Sequence, residues 1–138
     1  MADPERLDIP HDARDPPPRA RDSLWILPLA PTVWALHFVA SYVTGAVWCA
    51  KVAGYGGPLG DARVLVGIYT AAALAIIAVV GIAGWRRHSY GDATAPHDFA
   101  TAADRHRFLG FATVLLAALS FVATLFVALP AVFTGSCR

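Results

Sequence analysis

The chain has 138 residues, a formal net charge of +1, 57% hydrophobic and 15% charged residues, and a mean hydropathy of +0.52. Soluble domains hold about 45–50% apolar and about 25% charged residues, so this composition argues against an ordinary soluble domain. The length allows one domain at most, and no basic stripe exists beyond short pairs, which argues against a nucleic-acid-binding surface.

Residues 1–22 form a separate compositional zone with six acids, four arginines and five prolines, including Pro16-Pro17-Pro18. Such a segment buries too little apolar surface to offset its ordering entropy and is predicted to be a disordered tail, either solvated or docked on a partner. Beyond it, Leu24 to Ala50 contains no Asp, Glu, Lys or Arg, and the same holds from Val64 to Trp85 and from Phe108 to Cys137. A helix needs roughly 20 such residues to cross about 30 Å of hydrocarbon, and all three runs are long enough. The expectation is an all-α membrane protein: a disordered N-terminal tail, then one domain over 23–138 with three transmembrane helices at about 25–50, 64–85 and 108–133.

In the first span, Pro28 and Pro31 fall in the opening turns, where a missing N–H costs little. Trp25 and Trp48 are about 35 Å apart at helical rise, a spacing that suits the two aromatic belts of a membrane. His37 sits near the middle of the run. Ionisable side chains at that depth are rare and face the protein interior. Trp34, His37, Ser41, Thr44 and Trp48 follow three- and four-residue steps and make the most polar face of the span. Four readings stay open for His37: haem ligation, proton transfer, contact with a partner subunit, or a hydrogen bond to a neighbouring helix.

Lys51 to Arg63 reads as a short glycine-rich loop, and the second span ends at Trp85-Arg86-Arg87. Within that span Gly67, Ala71 and Ala75 have small-xxx-small spacing that supports packing, and Tyr69 is placed to reach a polar core. His88 to Arg107 is the longest connection; Asp104 to Arg107 is expected to begin the third helix in water, with Thr101 as a candidate N-cap. In the third span Gly110, Thr113, Ala117, Ser120 and Thr124 form a stripe of small and hydroxylated residues expected to turn inward. Leu115, Leu119 and Phe126 are expected to face lipid or a partner. Ser120 lies at about the depth of His37, so Ser120 or Thr124 is the expected hydrogen-bond partner of the imidazole. Pro130 should bend or end the helix.

Lys and Arg near the spans set orientation. The tail and the second connection carry eight (Arg6, Arg14, Arg19, Arg21, Arg86, Arg87, Arg105 and Arg107), and the opposite side only Lys51, Arg63 and Arg138. A cytoplasmic N-terminus and an outward C-terminus follow. That topology brings Cys49 and Cys137 to the outward ends of the first and third spans, as a disulfide, two free thiols or a Cu(I) site. A haem held by two imidazoles needs both at one depth. Only His37 is deep, so a second ligand would come from another chain. No phosphate loop, HExxH, GxSxG or intramembrane carboxylate pair is present, and no enzymatic activity is expected.

The run Pro31-Thr32-Val33-Trp34-Ala35-Leu36-His37-Phe38, with Tyr42, Cys49-Ala50-Lys51, Leu129-Pro130-Ala131 and Cys137, resembles small three-span bacterial membrane proteins found with haem-copper terminal oxidases and their copper-insertion factors. The resemblance covers the spans and not the tail. It implies a multi-pass protein of the bacterial inner membrane that associates with oxidase subunits. His37, Cys49 and Cys137 are the positions it marks. On this reading the chain is an accessory or assembly subunit of a respiratory complex acting by helix–helix contact, with lipid and other membrane subunits as partners. A haem-binding anchor using His37, or a stand-alone oligomer without cofactor, are the alternatives.

Overall fold

The computed structural model describes residues 24–89 and 102–137. The predicted tail, His11, His97 and the candidate cap Thr101 lie outside the described residues. Helix makes up 87% of what is described, in three long apolar helices. Helix α1 spans Ile26–Trp48, α2 Gly60–His88 and α3 Ala102–Phe133. Each is long and apolar enough to cross a membrane. With almost no polar side chains to solvate their surfaces, such helices are stable in hydrocarbon because every interior backbone group is bonded within its own helix.

The helices overrun the apolar runs that predict them. Beyond Trp48, α1 continues as a five-residue π turn, Cys49–Ala53, and it stops where Gly54 adopts a positive φ of 67°. The expected loop therefore shrinks to residues 54–59. Glycine tolerates this conformation while a side chain disfavours it, so the backbone, and not the first charge, sets the boundary. The third helix likewise passes Pro130 and ends three residues later at Phe133. A proline so close to a helix end forfeits one bond and need not break the helix. The carbonyls that the end of the helix leaves exposed are satisfied from elsewhere: Thr134 N–H donates to Pro130 O (2.8 Å), and Arg63 donates through Nε to Ala131 O and through Nη2 to Val132 O, both at 2.8 Å. These are carbonyls that a helix terminus would otherwise leave unpaired.

Helices α2 and α3 make the closest pairing in the bundle. At their crossing, a Cβ on Gly110 would lie 2.5 Å from His88 N and 2.8 Å from Gly84 O, so two backbones meet with no room for a side chain. Gly110, Thr113, Ala117, Ser120 and Thr124 are all buried, while Leu115, Leu119 and Phe126 are exposed. Helix α2 corrects the expectation. Gly67, Ala71 and Ala75 lie on its exposed side, and its buried face is Ala62, Val66, Ala73, Ile77, Val80 and Gly84. Small residues permit close approach; they do not compel it, and here a mixed small and branched face does the packing. Helix α3 starts at Ala102, and in its opening turns Arg105 is exposed while His106 and Arg107 are buried. Ala30, Ile77, Val80 and Ala117 form the apolar core that joins the three helices.

Candidate functional site

His37 stands eleven residues from each end of α1, at the middle of the helix, and is 4% exposed. Its Nε2 lies 3.0 Å from Thr70 Oγ1 on α2 and 3.4 Å from Ser41 Oγ one turn along α1. Thr70 is ten residues into α2, about 15 Å at helical rise; His37 is about 16 Å from the neighbouring end of α1, so antiparallel helices bring them to one depth. The Thr70 hydroxyl has a single proton and donates it to Val66 O at 2.7 Å. It must therefore accept from the imidazole, which places a proton on His37 Nε2 and, in the neutral ring, leaves Nδ1 as a bare lone pair. Nδ1 is buried with no hydrogen-bond partner among the described residues, and so is Trp34 Nε1 one turn earlier.

The expected partners are not the observed ones. Thr124 donates to Ser120 O within α3 at 2.8 Å, and neither hydroxyl bonds His37 among the described residues. Thr44 is half-buried and, like Tyr69, makes no side-chain hydrogen bond there. Thr70 was within reach of sequence reasoning: apart from Tyr69 it is the only hydroxylated residue between Val64 and Trp85. His88 and His106 lie at the far end of the bundle from Cys49. The His88 ring sits 6.0 Å from that of Trp85 and 5.4 Å from that of Phe111. The described residues thus offer one imidazole at mid-depth.

The cysteines form the second constellation. Cys49 and Cys137 are joined as a disulfide with their Cα atoms 5.5 Å apart, across 88 residues of sequence. Of the three outcomes left open, this is the one adopted, and bonded sulfurs offer no thiolate to Cu(I). No group of three or more His, Cys, Asp or Glu among the described residues is arranged to hold a metal. Backbone pairing reinforces the bond. Gly56 N–H donates to Cys137 O (2.7 Å) and Cys137 N–H to Gly57 O (2.9 Å), and Pro58 and Ser136 form an antiparallel bridge. Trp48 Nε1–H donates to Pro58 O at 3.2 Å. Sequence alone signalled the depth of the cysteines; this small closed cap and the reach of Arg63 across to α3 had no signal in it.

Together these features define a multi-pass membrane protein of three apolar helices with a polar pair at mid-depth and a covalently stapled end. No family model, no curated protein and no solved structure matches the chain.

Proposed function

We propose that this protein is an accessory or assembly subunit of a respiratory membrane complex, a haem-copper oxidase being the first candidate, with no enzymatic activity of its own. The observation that carries the reading is the bareness of α1. Within the most apolar window of each span, 11% of α1 is buried against 22% for each of α2 and α3. Its uncovered side carries Phe38 and Tyr42, whose rings stack with centroids 6.4 Å apart, and the half-buried Trp34 lies at the edge of that side, 6.5 Å from Phe38. The same stretch holds the residues that resemble the oxidase-associated proteins. Contact therefore runs along the aromatic side of α1, while His37 faces inward and anchors α1 to Thr70. This departs from a partner surface made by His37 itself.

The protein sits in the bacterial inner membrane with its N-terminus in the cytoplasm and the stapled end outside. Support comes from the eight-to-three distribution of basic residues and from the disulfide, which belongs in an oxidising compartment. The full chain, tagged and extracted in mild detergent, should bring oxidase subunits with it and be colourless once separated from them. Copurification of no respiratory subunit at all would reject the proposal. A haem-binding anchor is the second reading, favoured by the unengaged lone pair on His37 Nδ1. It requires a Soret band in the purified chain that disappears in His37→Leu. A reporter active only outside the cytoplasm, fused after Arg138, should be active; activity of that reporter at Gly91 instead would reverse the orientation.

A further inference from the structure

Two apolar grooves meet at one arginine. The first, about 310 Å³, opens between all three helices near the stapled end, with Phe38, Gly45 and Val127 among its walls. The second, about 500 Å³, is lined by α2 and α3 alone and includes Gly67, Ala71 and Ala128. Arg63, Val66 and Ala131 line both and so form the ridge between them. A Cβ added at Gly45 or at Gly67 would meet nothing within 4 Å, so each glycine leaves its groove open.

Arg63 lies in the first turn of α2, where the apolar run begins and a bilayer's headgroup layer is expected. Its Nε and Nη2 are held by the Ala131 and Val132 carbonyls, which orients the guanidinium. Of five N–H donors, three remain, and no carboxylate pairs with the group among the described residues. An oriented guanidinium with spare donors is the side chain best matched to a phosphate.

We propose that Arg63 and the two grooves beside it bind one two-chain phospholipid, with its phosphate on the guanidinium and one hydrocarbon chain in each groove. The charge is complementary, and the number of apolar channels equals the number of chains. A partner helix fits the ridge at Arg63 poorly. About 10–12 Å across with its side chains, it would lie over the ridge and bury an arginine without supplying an anion. Partner contact on Phe38 and Tyr42, which also wall the first groove, is made with their outer surfaces beside the bound chain.

The test is a lipid titration of the full chain in detergent, read by native mass spectrometry. The probes are dioleoyl phosphatidylglycerol, the diacylglycerol with the same chains, and single-chain lysophosphatidylglycerol. Wild type should retain one phosphatidylglycerol, about tenfold tighter than either comparator, and inorganic phosphate should not displace it. Arg63→Gln should bring phosphatidylglycerol down to the level of diacylglycerol. Gly45→Leu and Gly67→Leu should each bring it down to the level of the single-chain lipid and leave single-chain binding in place. The glycine variants keep the Arg63 hydrogen bonds, so they decide the matter if Arg63→Gln does not fold. Equal retention of the three lipids, or phosphatidylglycerol binding unchanged in both glycine variants, overturns the proposal. So does a dimer that Gly67→Leu dissolves without altering lipid retention.

Discussion

The α2–α3 pair and helix α1 are held in opposite ways. The pair is joined along its length, by glycine contact at Gly84 and Gly110, by the buried stripe from Thr113 to Thr124, and by Arg63 reaching the last carbonyls of α3. Helix α1 covers less surface and is fastened at points: an apolar contact at Ala30, one hydrogen bond from His37 at mid-depth, and one covalent bond at its end. In a bilayer the lipid is as apolar as leucine, so apolar burial alone does not hold one helix to another. A helix with little close packing then depends on a few specific bonds, and those bonds can be removed one at a time.

The largest effect should come from the staple. Cys49→Ser or Cys137→Ser, or reduction of the wild type, opens a loop of 88 residues. In the chain-entropy model that costs about 4.6 kcal/mol, and confinement in the bilayer lowers the figure. The thermal midpoint in detergent should fall, and reductant should have no further effect on either serine variant. Labelling of both thiols without prior reduction would show that the staple is not formed.

Breaking the paired helices comes next. Gly110→Val places a side chain against His88 N and Gly84 O, backbone atoms that cannot rotate away. Overpacking of this kind costs about 1–3 kcal/mol. Gly45→Val, where the added Cβ meets nothing within 4 Å, should leave the midpoint nearly unchanged. Equal effects of the two substitutions would erase the distinction between a joined pair and a point-fastened helix.

The smallest effect sharpens the comparison most. A double-mutant cycle of His37→Leu and Thr70→Val should give a coupling of about 0.6 kcal/mol, the usual scale for hydrogen bonds between membrane helices. The cycle of His37→Leu with Ser120→Ala should give none. The ring ¹⁵N shifts of His37 should report a protonated Nε2 and a bare Nδ1; the reverse tautomer would remove Thr70 as the acceptor.

These results separate what the sequence can carry from what it cannot. Span number and the inward stripe of α3 were legible, because runs without charge have one physical meaning and small hydroxylated residues at three- and four-residue steps mark one face. The stripe of α2 was misleading for a related reason. Inside hydrocarbon, polarity no longer separates a buried face from a lipid-facing one, so Gly67, Ala71 and Ala75 look the same whether they meet a helix or a groove. Depth placed His37 beside the right level of its neighbours but not beside the right helix, since Thr70 and Ser120 lie within about a turn of that level. Arg63 illustrates the other limit. Its position beside a loop reads as a topological signal, and nothing local reveals that its donors end on carbonyls 68 and 69 residues away.

The staple also orders events in time. Cys49 closes the first span, and Cys137 follows the third. Synthesis therefore delivers one sulfur early and the other only after every span has been made. Until then Cys49 has no partner cysteine within the chain, and α1 rests on non-covalent contacts with α2 and α3 alone. Once the bond closes, the first helix can no longer drift away from the last. Oxidation of this pair is thus a timestamp: a molecule that carries it has all three helices delivered and gathered.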